Sequence, residues 1–112
     1  MAAYADTKLA NTMFAYAFAR RFGHRGVRAS SVDPGWVPTK MTGMSAPGDI
    51  RESDRLYVML AEDSGEAEGT NACYWESGSV GPARSKEEAY DEEAQDALLE
   101  KLEEITGVAV PN

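Results

Sequence analysis

Among its 112 residues the chain has one cysteine and one histidine. A single thiol, Cys73, excludes a disulfide within the chain and suits a reducing compartment. With His24 as the only histidine, a zinc centre built from Cys and His cannot be assembled. The carboxylates show no calcium-loop spacing either, so no metal is expected. Long hydrophobic runs are also missing. The apolar stretch from Leu9 to Phe22 is too short and too interrupted to span a bilayer, and the first residues lack the order of a secretory signal. The expectations are therefore no membrane and a cytoplasmic location. Basic clustering is slight. The best candidate for a nucleic-acid face, Arg20, Arg21, Arg25 and Arg28, sits at a predicted helix end, where positive charge complements the helix dipole, so no nucleic-acid partner is expected.

What remains is the composition of a folding chain: 43% apolar and 27% charged residues, in a length that suits one small domain with a marginal core. The net charge of -8 is unevenly placed. Residues 1 to 42 hold six Lys/Arg against Asp6 and Asp33, whereas residues 86 to 104 hold nine acids against Lys86 and Lys101. That acidic run is read as the solvated face of a helix.

Apolar residues Leu9, Met13, Phe14, Ala17 and Phe18 recur at helical spacing between Tyr4 and Phe22, and Gly23 follows where a helix stops. "VRASSVDPG" alternates around Val27, Ala29 and Val32 before a Pro-Gly break, which predicts a short strand ending at Asp33. Residues 35 to 48 are too rich in Gly and Pro for regular structure and predict a long loop, a kind that is often functional. Asp49 caps a predicted helix to about Ala61, with Ile50, Leu56, Tyr57, Met59 and Leu60 as a broad apolar side. "EDSGEAEG" breaks it, and "TNACYWES" predicts a second strand. From about Glu87 to Ile105, Tyr90, Ala94, Ala97, Leu98, Leu102 and Ile105 mark one apolar stripe of an amphipathic helix ended by Gly107.

The order helix, strand, helix, strand, helix is the rhythm of an α/β protein with a parallel sheet. Two strands make a poor sheet, and a parallel pair normally has neighbours and two covered faces. Residues 1–112 therefore read as part of a larger, doubly wound domain.

Tyr4 and Lys8 are four residues apart, so on a helix they share a face and can reach a common ligand. An unperturbed tyrosine titrates near ~10, and a nearby ammonium stabilises the phenolate. Such a tyrosine can give a proton to a carbonyl oxygen, or take one from an alcohol, while hydride moves at carbon. The loop "DPGWVPTKM" follows at the predicted end of the next strand, and ligands of open α/β sheets bind outside the carboxyl ends of strands.

Together, a helix bearing Tyr-x-x-x-Lys, a strand, and Pro-Gly-x-Val-x-Thr resemble the C-terminal half of the short-chain dehydrogenase/reductase family. The order and spacing are specific where neither motif is alone. "GTNACYWES" looks like that family's last core strand, and the tail ending "LEEITGV" is similar to its retinol-dehydrogenase-like members, so the resemblance covers essentially the whole chain. It implies a partial Rossmann-type fold and an NAD- or NADP-dependent oxidoreductase acting on a small carbonyl or alcohol substrate. By the same resemblance Tyr4 is the proton donor or acceptor, and Lys8 lowers its pKa and holds the nicotinamide ribose hydroxyls. Pro34 and Gly35 shape the loop, Val37 meets the carboxamide through its backbone, Thr39 contacts the cofactor, and residues 40 to 50 cover the substrate.

The family's glycine-rich phosphate loop, its Asn-Ala-Gly segment, a helix asparagine and the substrate-orienting serine all precede its tyrosine, and none is found here. The Gly-rich stretches around Gly43, Gly48 and Gly78 do not follow a strand and open a helix as a dinucleotide fingerprint requires. The expectation is a chain that lacks the N-terminal cofactor-binding half and shows little or no turnover by itself. The alternative is a non-catalytic assembly module that self-associates or complements a partner. It would use its open strand edge and its first helix, where Ala10, Ala15, Ala17 and Ala19 lie among bulky apolar residues.

Overall fold

A computed structural model describes residues 2–33, 50–77 and 81–111, with side chains in the first helix from Asp6 onward. The predicted alternation holds: α1 (Ala2–Phe22), β1 (Ser31–Asp33), α2 (Ile50–Glu62), β2 (Tyr74–Glu76) and α3 (Glu92–Thr106), with short 3-10 turns at Gly23–Arg25, Gly65–Ala67 and Glu87–Tyr90. α1 is built from strong helix formers, with Arg20 and Arg21 in its last turn facing the negative end of the dipole. It does not stop cleanly at Gly23. The chain tightens into a 3-10 turn and reverses at Gly26, whose φ of 83° suits a residue without a Cβ.

β1 and β2 form a two-stranded sheet. Ser31 N–H donates to the Cys73 carbonyl (2.9 Å) and Ser77 N–H to that of Asp33 (2.9 Å), so both strands advance in the same direction and the pairing is parallel. Before them, Ala72 N–H donates to the Ala29 carbonyl (3.0 Å). Between that bond and the Ser31 bond, the β2 side carries one residue more. Ala72 absorbs it with a φ of 54°, a bulge geometry. Both strands are therefore shorter than the alternating pattern predicts, because the bulge and the Asn71 side chain, whose Oδ1 accepts from Ala29 N–H (2.8 Å) and Ala72 N–H (3.0 Å), interrupt the ladder.

The chain divides into two compact units. The first comprises Met1–Ser31, Asn71–Cys73 and Arg84–Asn112. In it α1 packs against α3 and against the turn before α3. Tyr16, Ala17, Ala19 and Phe22 are buried, together with Ala89, Gln95 and Leu99. The rings of Phe14, Phe18 and Phe22 follow one another at 4.4 and 5.1 Å between centroids. Two predictions need correcting. The apolar pattern read on α1 is only partly the buried face: Ala17 is covered but Phe14 is exposed, while Thr12, Tyr16 and Ala19, outside that pattern, are buried. The helix expected from Glu87 to Ile105 is two pieces, because Asp91 takes an extended conformation and caps α3 by accepting from Ala94 N–H (3.2 Å), a bond worth about 1 kcal/mol. Burial on α3 centres on Gln95 and Leu99, and Ile105 stays 69% exposed. Gly107 ends the helix as expected, in the left-handed conformation.

The arginines at the end of α1 have internal partners. Arg20 bonds Glu92 through Nε (3.2 Å) and Asp96 through a terminal nitrogen (2.9 Å), and Arg21 lies 3.6 Å from Asp96. The hydrogen bond from Arg20, and then the positive charge of both arginines, hold the Asp96 carboxyl below its ordinary value. A carboxylate depressed in the folded state stabilises above its unfolded pKa, and that contribution is lost as the pH falls through its folded pKa. Urea unfolding at neutral and acidic pH should therefore show stability falling across the carboxylate range, and less steeply in Arg20→Gln. Equal slopes in the two proteins would refute the coupling.

The second unit comprises Val32–Thr70 and Tyr74–Ala83. Its described core is Leu56 and Ser53 of α2, Ala67 of the following turn, and Trp75 of β2, which is 1% exposed. The apolar side of α2 is narrower than expected, since Ile50 and Tyr57 are exposed. Among the described residues no helix is long and apolar enough to cross a membrane, and no group of His, Cys, Asp and Glu could hold a metal ion.

Candidate active site

The sequence places its chemistry on the first turns of α1. Tyr4 and Lys8 both fall within the helix, on successive turns of one face; the Tyr4 side chain lies outside the description, and Lys8 is exposed. Continuing along that face by helical steps leads to Thr12, Tyr16 and Ala19, all buried. The face that carries the pair at its open end is therefore the face that enters the core of the first unit. Pro34, Gly35, Val37 and Thr39, with the rest of the predicted loop, lie outside the described residues.

Thr12 joins the helix to the sheet. Its hydroxyl donates to the Lys8 carbonyl one turn back (3.2 Å), and its oxygen lies 2.8 Å from Ser31 Oγ at the start of β1. Between the two hydroxyls either can donate; with the Thr12 proton on the Lys8 carbonyl, the donor is Ser31. Ser31 N–H in turn donates to Cys73. Cys73 N–H donates to Ser30 Oγ (3.3 Å), and its thiol to the Asn71 carbonyl (3.3 Å). A continuous set of hydrogen bonds thus runs from the approach to β2, through β1, to the backbone of Lys8. Neither Thr12 nor Ser31 stands out in the sequence. The available signal was a polar residue one turn beyond Lys8, on the face that continues to Tyr16.

Other tyrosines are poor candidates for proton transfer. Tyr16 and Tyr90 pack ring to ring at 5.2 Å between centroids. The Tyr90 hydroxyl accepts from Ser85 N–H (2.9 Å), with the Arg84 guanidinium 4.0 Å over its ring. In the second unit, burial first, and then the carboxylates of Asp33 and Glu76, hold the Tyr74 phenol above its ordinary value. Tyr74 is therefore a protonated donor, to Asp33 Oδ2 at 3.4 Å.

The first unit also has a shallow apolar groove of about 400 Å³, bordered by Ala10, Phe14, Leu98 and Leu102, with Asp6, Thr7 and Asn11 at its polar margin. Lys8 and Thr12 do not line it. Of the four alanines expected on an assembly surface, Ala17 and Ala19 are already buried within the chain.

No family model and no solved structure matches the chain. Curated proteins do. The short-chain dehydrogenase chry4 of Gibberella zeae is 33% identical, over 98% of this chain and 41% of its own length. The oxidoreductase AN7799 of Emericella nidulans is 35% identical over 96% of the chain and 42% of its own length. The short-chain dehydrogenase chyC of Penicillium rubens is 32% identical over 97% and 41%. The chain thus spans about two-fifths of the length of the curated relatives it matches. Similarity along nearly the whole chain to these proteins, joined to a helix–strand–helix–strand–helix order around a parallel strand pair, makes this chain a partial member of the short-chain dehydrogenase/reductase family.

Proposed function

We propose that residues 1–112 are the C-terminal portion of the Rossmann-type domain of an NAD- or NADP-dependent oxidoreductase acting on a small carbonyl or alcohol. One observation carries the reading: Lys8 stands exposed one turn after Tyr4 and one turn before the helix is tied to β1 through Thr12. An ammonium with three donors on an accessible turn fits the two hydroxyls of a nicotinamide ribose. Its positive charge, a turn away, favours the Tyr4 phenolate. When bound, the nicotinamide supplies or accepts the hydride. Tyr4 Oη gives its proton to the carbonyl oxygen in reduction and takes it from the alcohol in oxidation. Pro34, Gly35, Val37 and Thr39 belong to the same proposal, as the loop that follows β1 in sequence.

Tyrosine titration followed by carbon NMR of ring-labelled protein tests the pair, with Tyr4→Phe identifying the signal. In the unmodified chain Tyr4 should titrate below the ordinary tyrosine range. Lys8→Met should raise its midpoint, since it removes the neighbouring positive charge. The same midpoint in both proteins would defeat the assignment.

A further inference from the structure

We infer that Thr12 is a positioning residue: through Ser31 it holds the turn of α1 that carries Lys8. The inference rests on the proposed role of Tyr4 and Lys8 but concerns a residue outside that pair. Asp6, Thr7, Lys8 and Asn11 are exposed, and Leu9 and Ala10 are only partly covered. Thr12, at 4% exposure, is the first buried residue on the described part of the helix. Helix ends are prone to fraying, and here the two turns preceding Thr12 are the ones that bear the pair.

The Thr12–Ser31 bond is a polar link between α1 and the start of β1, and it is short, at 2.8 Å. Thr12 Oγ1 lies within hydrogen-bond distance of both the Lys8 carbonyl (3.2 Å) and Ser31 Oγ (2.8 Å), so it connects the turn bearing Lys8 to the strand. Threonine back-bonding of this kind tends to bend a helix slightly and, by itself, stabilises it little. Its value here lies in relaying the anchoring from Ser31 to Lys8. Ser31 is in turn fixed through its own N–H to Cys73, so the anchor is part of the sheet pairing.

The experiment uses the full chain with Thr12→Val, Thr12→Ser and Ser31→Ala, and has two readouts. Amide hydrogen exchange reports on the anchoring. Thr12→Val and Ser31→Ala should speed exchange in the turns around Lys8 by about two- to tenfold, the range expected for one lost hydrogen bond, whereas Thr12→Ser keeps the unmodified rates. The Tyr4 titration reports on the consequence. The midpoint should move toward that of Lys8→Met in Thr12→Val and in Ser31→Ala, and be restored in Thr12→Ser, a pattern that loss of stability alone does not give. Should Thr12→Val fail to fold, Ser31→Ala, which leaves the Thr12 bond to Lys8 in place, decides the matter. If Lys8→Met shifts Tyr4 but Ser31→Ala and Thr12→Val do not, the positioning role is overturned and the pair stands. If Lys8→Met leaves Tyr4 unmoved, the pair falls and the positioning role falls with it.

Discussion

Leu99→Ala should lower the unfolding free energy by about 2–5 kcal/mol, the range for emptying a large aliphatic side chain from a packed core. Leu99 is fully buried on α3, the helix that packs against α1. A domain of this size has little reserve, with a total stability of about 5–15 kcal/mol at most and a small core. Each kcal/mol moves the thermal midpoint of a small domain by about 4–8 °C, so circular dichroism should show a fall of at least about 8 °C. Ile105→Ala is the control. It lies on the apolar stripe read from the sequence but is 69% exposed, and should change stability by less than about 0.5 kcal/mol. If the two substitutions cost the same, burial on α3 is not centred on Leu99.

That contrast also shows what periodicity can and cannot reveal. The elements and their order were legible, because each is marked by punctuation with a local cause: Gly107 after α3, Gly and Pro around the strands, alanines and leucines within the helices. The buried faces were less legible. On α3 the sequence offers Leu98 and Leu99 side by side, and only the angle at which α1 approaches decides which of them is enclosed. On α1 the residues at regular apolar spacing drew attention, yet Thr12, Tyr16 and Ala19 outside that set are enclosed, and Thr12 meets Ser31 through its hydroxyl. Asp91 is a further case. An acidic residue in an acidic run carries no distinctive signal, and it becomes a cap only because the chain turns there. The pair Tyr4 and Lys8 could be found because it is local in sequence. The hydrogen bonds that tie their helix to residues 31 and 73 could not, since they join segments far apart along the chain.

Mixed with NADH or NADPH and a panel of aldehydes and ketones, or with NAD or NADP and alcohols, the purified chain should show no turnover above buffer. Proton transfer by Tyr4 needs a substrate within hydrogen-bond reach and a hydride source held against it. Holding reactants in place can lower a barrier by up to about 7–11 kcal/mol. A dinucleotide is gripped chiefly through its pyrophosphate at a glycine-rich turn opening a helix. α1 opens with Ala-Ala-Tyr-Ala, and α2 with Ile-Arg-Glu-Ser, neither of which is such a turn. The relatives are more than twice as long as the span they share with this chain, which leaves ample length in them for that element. Lys8 can contribute to binding a ribose but cannot replace a phosphate site, since one exposed ammonium is screened by salt and orders little. Absorbance of the reduced nicotinamide followed over hours at millimolar substrate is sensitive enough to decide. Saturable turnover that disappears in Tyr4→Phe would show that this portion of the domain holds a cofactor by itself, and would overturn the expectation of inactivity while strengthening the assignment of the pair.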